Sequence, residues 1–256
     1  MILPNIISFY SLINKELIRF CKVPLQTIIA PATVILVLYT IVSIVFNQSS
    51  SNKDQLSYSL FLVSGLISMA AAQNAFDNNI SSIVTAKIQG TFIDVLMAPI
   101  LAYELVLAFI VAGIIRGFAV CIVSLLFMMM LTPITISSLS LLFIYLFLGT
   151  FFFSALGFIG GILAQTYDHS KAMTNFFIIP LIYLSCTFYS INSIPVYMHN
   201  LIEVNPFFYY VDGMRKAFIG DSETSLVTGI SFLLAMNLIL LIISVKIVKS
   251  GYKLKS

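Results

Sequence analysis

Long apolar runs, separated by short polar breaks, dominate the chain. Crossing about 30 Å of hydrocarbon takes roughly 20 residues of α-helix, and six runs reach that length. Polar breaks at residues 47–55 and 167–171 are clear, whereas the break at Pro133 is only a turn. The pattern predicts an all-α integral membrane protein with six transmembrane helices. The predicted spans are about 25–46, 58–76, 105–131, 140–164, 172–190 and 226–245.

Residues 1–24 have a different pattern, in which polar residues recur every three or four positions opposite an apolar face. Such spacing is typical of an amphipathic helix, and its basic residues favour a position in the membrane interface on the cytoplasmic side. Pro24 predicts a bend where the first span begins. The polar face consists of Ser8, Ser11, Lys15, Arg19 and Lys22, and the apolar face of Ile6, Phe9, Ile13, Leu17 and Phe20.

Residues 86–100, within a predicted inner loop at 77–104, are too polar to span a bilayer and too apolar for a free loop. The segment is broken at Gly90 and stopped by Pro99. We expect a short helix on or just below the membrane, positioned to meet a partner protein.

Residues 204–220, on the predicted outer side, are rich in aromatic residues and too short to cross. Pro206 suits the first turn of a helix, with Asn205 as its cap. Asp212 precedes Arg215 and Lys216 by three and four residues, the spacing of helical ion pairs. The segment predicts a re-entrant or interfacial hairpin at the outer surface.

Composition and charge agree with this membrane assignment. Of 256 residues, 60% are hydrophobic and 9% charged, and the mean hydropathy is +1.05, whereas soluble domains carry about 25% charged residues. The distribution of Lys and Arg places both termini in the cytoplasm, including a basic tail at 246–256, and does not suggest nucleic-acid binding. The inner side then holds Lys15, Arg19, Lys22, Lys87, Lys171, Lys246, Lys249, Lys253 and Lys255, and the outer side Lys53, Arg215 and Lys216.

Motifs for catalysis or metal binding are absent from the sequence. No Gly is followed by Lys, so there is no P-loop, and His169 and His199 fall in loops on opposite sides of the membrane. Every carboxylate, Asp77 included, maps to an interface or a loop. Ion-coupled carriers usually keep carboxylates inside their spans, so this distribution disfavours a self-powered carrier.

A few polar residues fall inside predicted spans and leave alternatives open. Tyr39, Gln73, Asn74 and Tyr183 either line a transport path or bond neighbouring helices, with packing favoured. Arg116, near the inner end of the third span, either extends to the inner headgroups or serves the path or a partner contact.

Glycines four residues apart occur twice in the predicted spans. Gly113 and Gly117 form one pair, and Gly157 and Gly161 the other. This spacing lets helix backbones approach closely, either within one chain or between two copies.

Four segments, in this order along the chain, resemble the permease subunits of ABC-2 type ABC transporters. They are PLQTIIAPATVILVLY (24–39), AKIQGTFIDVLMAPI with AYELVLAFIVAGIIRGF (86–118), AQTYDHSK (164–171) and NPFFYYVDGMRKAFIG (205–220). Together with the six predicted spans and the amphipathic start, the resemblance covers essentially the whole chain.

The resemblance implies a type V exporter-like fold and a half-transporter of the bacterial inner membrane that pairs with a second copy. Two copies of a separate ATP-binding subunit would then hold ATP and Mg, with no cofactor or metal on this chain. Alternating access is the implied mechanism. The cargo stays open among polysaccharides, lipids, drugs and peptides.

The resemblance also assigns roles to particular segments. Residues 86–99 match the coupling helix that docks on the ATPase, residues 166–171 match a second contact, and residues 205–220 match a hairpin that closes the path outside. The implied coupling residues are Lys87, Gln89, Gly90, Asp94, Pro99, Asp168, His169 and Lys171, and the implied hairpin residues are Asn205, Pro206, Tyr209, Asp212 and Arg215.

Two rival interpretations remain. One is a secondary carrier or channel that works without an ATPase, and the other is a membrane-embedded enzyme with an unrecognised site.

Overall fold

The computed structural model of the chain describes residues 2–47 and 52–251, which fold almost entirely into helices. Lys253 and Lys255, in the predicted basic tail, lie outside these described residues. Two π-helical segments (Leu25–Ile29 and Thr174–Ile178) and two short 3₁₀ turns accompany eleven α-helices. The α-helices are α1 (Ile2–Cys21), α2 (Ala30–Asn47), α3 (Asn52–Ile88), α4 (Phe92–Met97), α5 (Ala102–Met129), α6 (Leu139–Leu163), α7 (Tyr167–Met173), α8 (Ile179–Tyr183), α9 (His199–Glu203), α10 (Pro206–Ile219) and α11 (Leu226–Ser250).

Five helical stretches within the described residues are long and apolar enough to cross a bilayer. They are Leu25–Val45, Tyr58–Ile88, Ala102–Met129, Leu139–Leu163 and Leu226–Ser250. The span predicted at 172–190 is not among these five. Its helix runs continuously through α7, a π-helical segment and α8 and ends at Tyr183. These pieces of 7, 5 and 5 residues extend about 26 Å at 1.5 Å per residue, slightly less than the hydrocarbon core.

Helix α3 continues well past the predicted end of the second span. It has 37 residues, which corresponds to about 55 Å. The prediction that Asp77 lies in a loop is wrong, because this residue is inside α3. The polar residues that follow it do not break the helix because they find partners in the protein: the Asn79 amide donates to the Ser154 carbonyl at 2.8 Å.

Small residues let α3, α5 and α6 pack backbone to backbone. A Cβ atom added to Gly113 would lie 3.0 Å from the Ala75 carbonyl oxygen of α3, and one on Gly117 would lie 3.0 Å from that of Ala71. On α6, a Cβ on Gly157 would lie 2.3 Å from the Phe76 carbonyl oxygen. Both glycine pairs therefore serve packing within one chain, since lipid offers no hydrophobic drive and close contact must hold the helices together.

The two ends of this bundle carry different short elements. At one end, which we call the α10 end, Ser138 donates its backbone N–H to the Ala217 carbonyl of α10 at 3.0 Å. At the other, the α4 end, the buried Phe92 of α4 packs in a cluster with Leu12 of α1 and with α11. The two termini of the described chain therefore lie toward the same end.

Each π-helical segment precedes a proline by one turn. Pro31 and Pro180 have no N–H for the carbonyls four residues earlier, those of Thr27 and Phe176. Both carbonyls fall in the middle of a π-helical segment. The wider turn accommodates the proline ring without ending the helix.

We expect Gly157→Ala to destabilise the bundle by about 1–3 kcal/mol, because its methyl group would overlap the Phe76 carbonyl and force backbone movement. Gly160→Ala, one turn away on the same helix, is the matched control. Its methyl group would meet only side-chain atoms, the nearest being the flexible end of Ile80 at 3.2 Å, followed by Met173 at 3.5 Å and Phe76 at 3.7 Å. Thermal unfolding in detergent checks this, and equal melting temperatures for the two variants would contradict the packing described.

Candidate functional site

The segment that links α3 to α5 leaves most of its side chains exposed at the α4 end. Gly90 adopts a positive φ of 74°, which ends α3 and turns the chain into α4. Phe92 is buried and anchors α4, whereas Gln89, Asp94 and Pro99 are exposed. The helix predicted between Gly90 and Pro99 is therefore present, and it offers a free face at one end of the bundle.

Lys87 is placed differently from its neighbours in this segment. Its side chain is buried, and its ammonium donates to the carbonyls of Ile162 and Ala164 at the end of α6. Cations are favoured there, because the last carbonyls of a helix lack partners in the helix itself. Its placement does not support direct contact between Lys87 and a partner. Instead, Lys87 ties α3 to α6.

The loop at 164–171 lies beside the same end of α3. Thr166 caps α7 by accepting the His169 backbone N–H at 3.2 Å, and the Tyr167 hydroxyl donates to Thr85 of α3 at 3.3 Å. Asp168, His169 and Lys171 are exposed. The two segments predicted as partner contacts thus share one end of the bundle, held together by Lys87 and Tyr167.

Helix α1 forms a groove with α4 at this end, with a volume of about 400 Å³. Ser11 and Lys15 of α1 line one side, and Thr91 and Asp94 the other. The predicted amphipathic helix is present, and part of its polar face borders α4.

Arg19 departs from the predicted polar face of α1. Its guanidinium pairs with the buried Glu16 at 3.0 Å and donates to the backbone and side-chain oxygens of Asn78 in α3, at 2.8 and 2.9 Å. Sequence periodicity placed Arg19 toward headgroups, whereas tertiary contacts turn it inward. The C-terminal part of α1 is therefore fixed to the bundle.

Arg116 does not extend to a headgroup but bonds within the bundle. It is buried, and its Nη2 donates to the Asn74 side-chain oxygen at 3.0 Å, while the Asn74 amide donates to Ala70. Asp77, partly buried, is close enough to interact electrostatically with Arg116. These side chains form a polar junction between α3 and α5.

The other polar residues predicted in spans are scattered. Tyr39 is buried in the core, and Gln73 is half-buried on α3. Tyr183 is exposed at the end of α8, and its carbonyl accepts the Tyr189 hydroxyl at 2.8 Å. Asn237 of α11 was not singled out from the sequence, and its amide donates to Leu148 at 3.0 Å. The sequence feature that could have identified it is a single asparagine within the last predicted span.

Helix α10 begins as its sequence predicts. The Asn205 side chain accepts the Phe207 N–H at 3.0 Å and donates to Leu181 at 2.7 Å, and Pro206 occupies the first turn. Tyr209 packs on Phe232 of α11, with ring centroids 4.5 Å apart. Since α10 is largely buried against α3 and α6, it closes off that end of the bundle.

The helical ion pairs predicted for Asp212 do not form. Asp212 instead accepts the backbone N–H groups of Glu223 and Thr224, at 2.8 and 2.9 Å, and so holds the turn after α10. Arg215 donates to the Cys186 carbonyl and lies 3.6 Å above the Phe61 ring centroid of α3. Cys186 itself has a φ of 59°, a left-handed conformation that a side chain disfavours. The spacing along the sequence reports only on neighbours within one helix, so it did not predict these contacts between residues that are distant in the chain.

Groups of titratable side chains suited to metal binding do not occur in the described part of the chain. No three His, Cys, Asp or Glu side chains within residues 2–47 and 52–251 come together. The arrangement consists instead of an exposed surface at the α4 end, a polar junction in the bundle and a packed hairpin at the α10 end.

Comparison with known proteins gives one family and a group of relatives. A family model described as ABC-2 type transporter matches residues 7–219. The chain is also 28% identical over 250 residues to the inner membrane transport permease YadH of Escherichia coli K12, covering 98% of each chain. The proteins of the same name from Escherichia coli O157:H7 and Shigella flexneri match equally well.

We expect Lys87→Met to lower the free energy of unfolding by about 1–3 kcal/mol, because the carbonyls at the end of α6 lose their donor. Lys171→Met removes an exposed ammonium from the neighbouring loop and should leave stability unchanged. Thermal unfolding of both variants in detergent is the measurement. A Lys87→Met protein of unchanged stability would contradict the role of this ammonium in tying α3 to α6.

Proposed function

Because the chain belongs to the ABC-2 type transporter family, we propose that it is the permease subunit of an ATP-driven exporter in a bacterial inner membrane. Permeases of this family are membrane subunits that generally pair with an ATP-binding subunit. The observation that carries the proposal is the family match over residues 7–219. The convergence of both predicted contact segments on one end of the bundle supports it.

In this proposal the α4 end receives the ATP-binding subunits. Gln89 and Asp94 are exposed beside the buried anchor Phe92, and the loop carrying Asp168 and His169 lies next to them. ATP and Mg are held by two copies of the partner subunit. When the two ATP-binding subunits close on each other, they push on α4. The displacement of α4 is then transmitted to α3 through the turn at Gly90.

The transport path forms between this chain and a second copy of itself. The bundle of α3, α5 and α6 is tightly packed, so a path through a single chain has little room. Helices α2 and α11 present apolar residues outward, including Val34, Ile41 and Leu238, to lipid or to the second copy. The packed α10 hairpin closes the path at the opposite end until the partner subunits drive it open.

The charge asymmetry supports an orientation. We infer that the α4 end faces the cytoplasm, because it carries most of the Lys and Arg residues and both termini of the described chain. The α10 end then faces the periplasm, and export runs from the α4 end to the α10 end.

One observation favours a second candidate, a secondary carrier that works without an ATPase. Asp77 lies inside α3 beside Arg116, and ionisable residues within a span often mark ion or proton pathways. The family match favours the first candidate. A carrier of this kind would transport without any ATP-binding partner, whereas the proposed exporter cannot.

We expect Asp94→Arg to reduce recovery of the ATP-binding subunit with the tagged permease by about tenfold or more, through charge reversal at the centre of the contact. Glu203→Arg reverses another exposed carboxylate, at the α10 end, and serves as the control. Co-purification after co-expression, with ATP-dependent transport into inside-out vesicles, is the measurement. Retention of the partner and of coupling by Asp94→Arg would refute the assigned surface.

The orientation predicts opposite labelling of two variants that each have one accessible cysteine, made in a Cys21→Ser background, since Cys121 and Cys186 are buried. A membrane-impermeant maleimide should label Asn192→Cys in spheroplasts. Gln89→Cys should be labelled only after the membrane is permeabilised. The reverse pattern would mean that the termini face outward.

A further inference from the structure

The groove between α1 and α4 has a lining that contact with an ATP-binding subunit does not explain. Its volume of about 400 Å³ lies near the lower end of the range of small-molecule sites, roughly 300–1,000 Å³. It is therefore large enough for a small polar group with an apolar extension. We call it the interfacial groove and define it by Ile7, Ser11, Lys15, Thr91, Asp94 and Val95.

The α1 wall of the groove offers hydrogen-bond donors. Ser11 and Lys15 are four residues apart on α1, so their side chains are neighbours on one face of the helix. Both are exposed, and neither side chain has a hydrogen bond or an ion pair with another described residue. An ammonium and a hydroxyl side by side suit an anionic group with several oxygens, such as a phosphate.

The α4 wall offers acceptors instead. The Asp94 carboxylate is exposed and has no hydrogen bond or ion pair with another described residue. The Thr91 hydroxyl donates to the Ala86 carbonyl at 3.4 Å, which leaves its oxygen as an acceptor. Lys15 and Asp94 do not pair across the groove, because the only ion pair within residues 2–47 and 52–251 joins Arg19 to Glu16.

The opposite charges of the two walls decide between ligand classes. A simple anion such as inorganic phosphate suits Lys15 but is repelled by Asp94, and a simple cation has the reverse difficulty. A ligand with a phosphate next to a primary ammonium complements both walls at once. The ethanolamine headgroup of a phospholipid has these two charges in this order.

The apolar surroundings of the groove favour a lipid over a soluble zwitterion. Ile7 and Val95 lie in its lining, and α1 also exposes Tyr10, with 67% of its surface accessible. On α4, Ile93 and Met97 are exposed as well. A basic amphipathic helix such as α1 lies at the depth of the headgroups, so acyl chains are available to cover these side chains.

We propose that the interfacial groove binds the headgroup of a phosphatidylethanolamine molecule, with its phosphate on Ser11 and Lys15 and its ammonium on Asp94. Thr91 accepts a second hydrogen bond from the ammonium, and the acyl chains leave the groove on its apolar side. The bound lipid then joins α1 to α4 through its headgroup. The groove is formed by this chain alone, so the proposal stands or falls separately from pairing with an ATPase.

Occupancy of the groove is measured by the rate at which a water-soluble maleimide labels Ala98→Cys, an exposed position in the lining, in a Cys21→Ser background. The full chain is placed in phosphatidylcholine nanodiscs, either alone or with added phosphatidylethanolamine or phosphatidylglycerol. Phosphatidylcholine has the same charges but no N–H donor, and phosphatidylglycerol has the phosphate without an ammonium. We expect phosphatidylethanolamine to slow labelling about tenfold, with a smaller effect of phosphatidylglycerol. Gln89→Cys, exposed outside the groove, is the control and should react equally fast in all three.

Two further substitutions in the Ala98→Cys background separate the two ends of the headgroup. Asp94→Asn should reduce protection by phosphatidylethanolamine to the level given by phosphatidylglycerol, whereas Lys15→Gln should reduce protection by both lipids. Lys22→Gln, exposed beyond the end of α1, is the matched control and should leave protection unchanged.

Several results would overturn the proposal. They are equal labelling rates in the three kinds of nanodisc, unchanged protection in Asp94→Asn or Lys15→Gln, and equal protection by inorganic phosphate in phosphatidylcholine nanodiscs. Protection that appears only when the ATP-binding subunit is added would assign the groove to that protein instead. None of the lipid results depends on a partner protein, so failure here leaves the proposed exporter function intact.

Discussion

The close approach of α3 to α5 and α6 is the contact on which the rest of the fold depends. Inside a bilayer, lipid tails are as apolar as leucine, so helices associate through packing and internal hydrogen bonds. Gly113, Gly117 and Gly157 have no side chains, which would otherwise keep these backbones apart. Helices α2, α10 and α11 then pack around a core that is already closed.

The same closeness explains why α3 tolerates so many polar residues. Between Asn74 and Asn79 it contacts Arg116 of α5, Arg19 of α1 and Ser154 of α6. Each pairing satisfies groups that hydrocarbon would leave unpaired, at a large energetic cost. One helical segment thus joins three others by hydrogen bonds, and the bonds to Arg19 hold the end of α1 against the bundle.

Sequence patterns predicted the features that depend on local physics. Hydropathy located the long spans, and the Asn205 cap with Pro206 located the start of α10, because capping involves only neighbouring residues. The features that were missed depend on distant partners. Asp77 was assigned to a loop because nothing local shows that Arg116 would approach it, and the Asp212 ion pairs failed because loop N–H groups compete for the carboxylate.

The two π-helical segments give the molecule an uneven stiffness. Thr27 and Phe176 lie where a proline has removed one rung of the hydrogen-bond ladder, in the first predicted span and in the short helix after residue 166. By contrast, Lys87 and the glycine contacts bind α3 to α6 along their length. The core of α3, α5 and α6 is therefore the stiffest part of the described structure, and we expect bending to concentrate at these two turns.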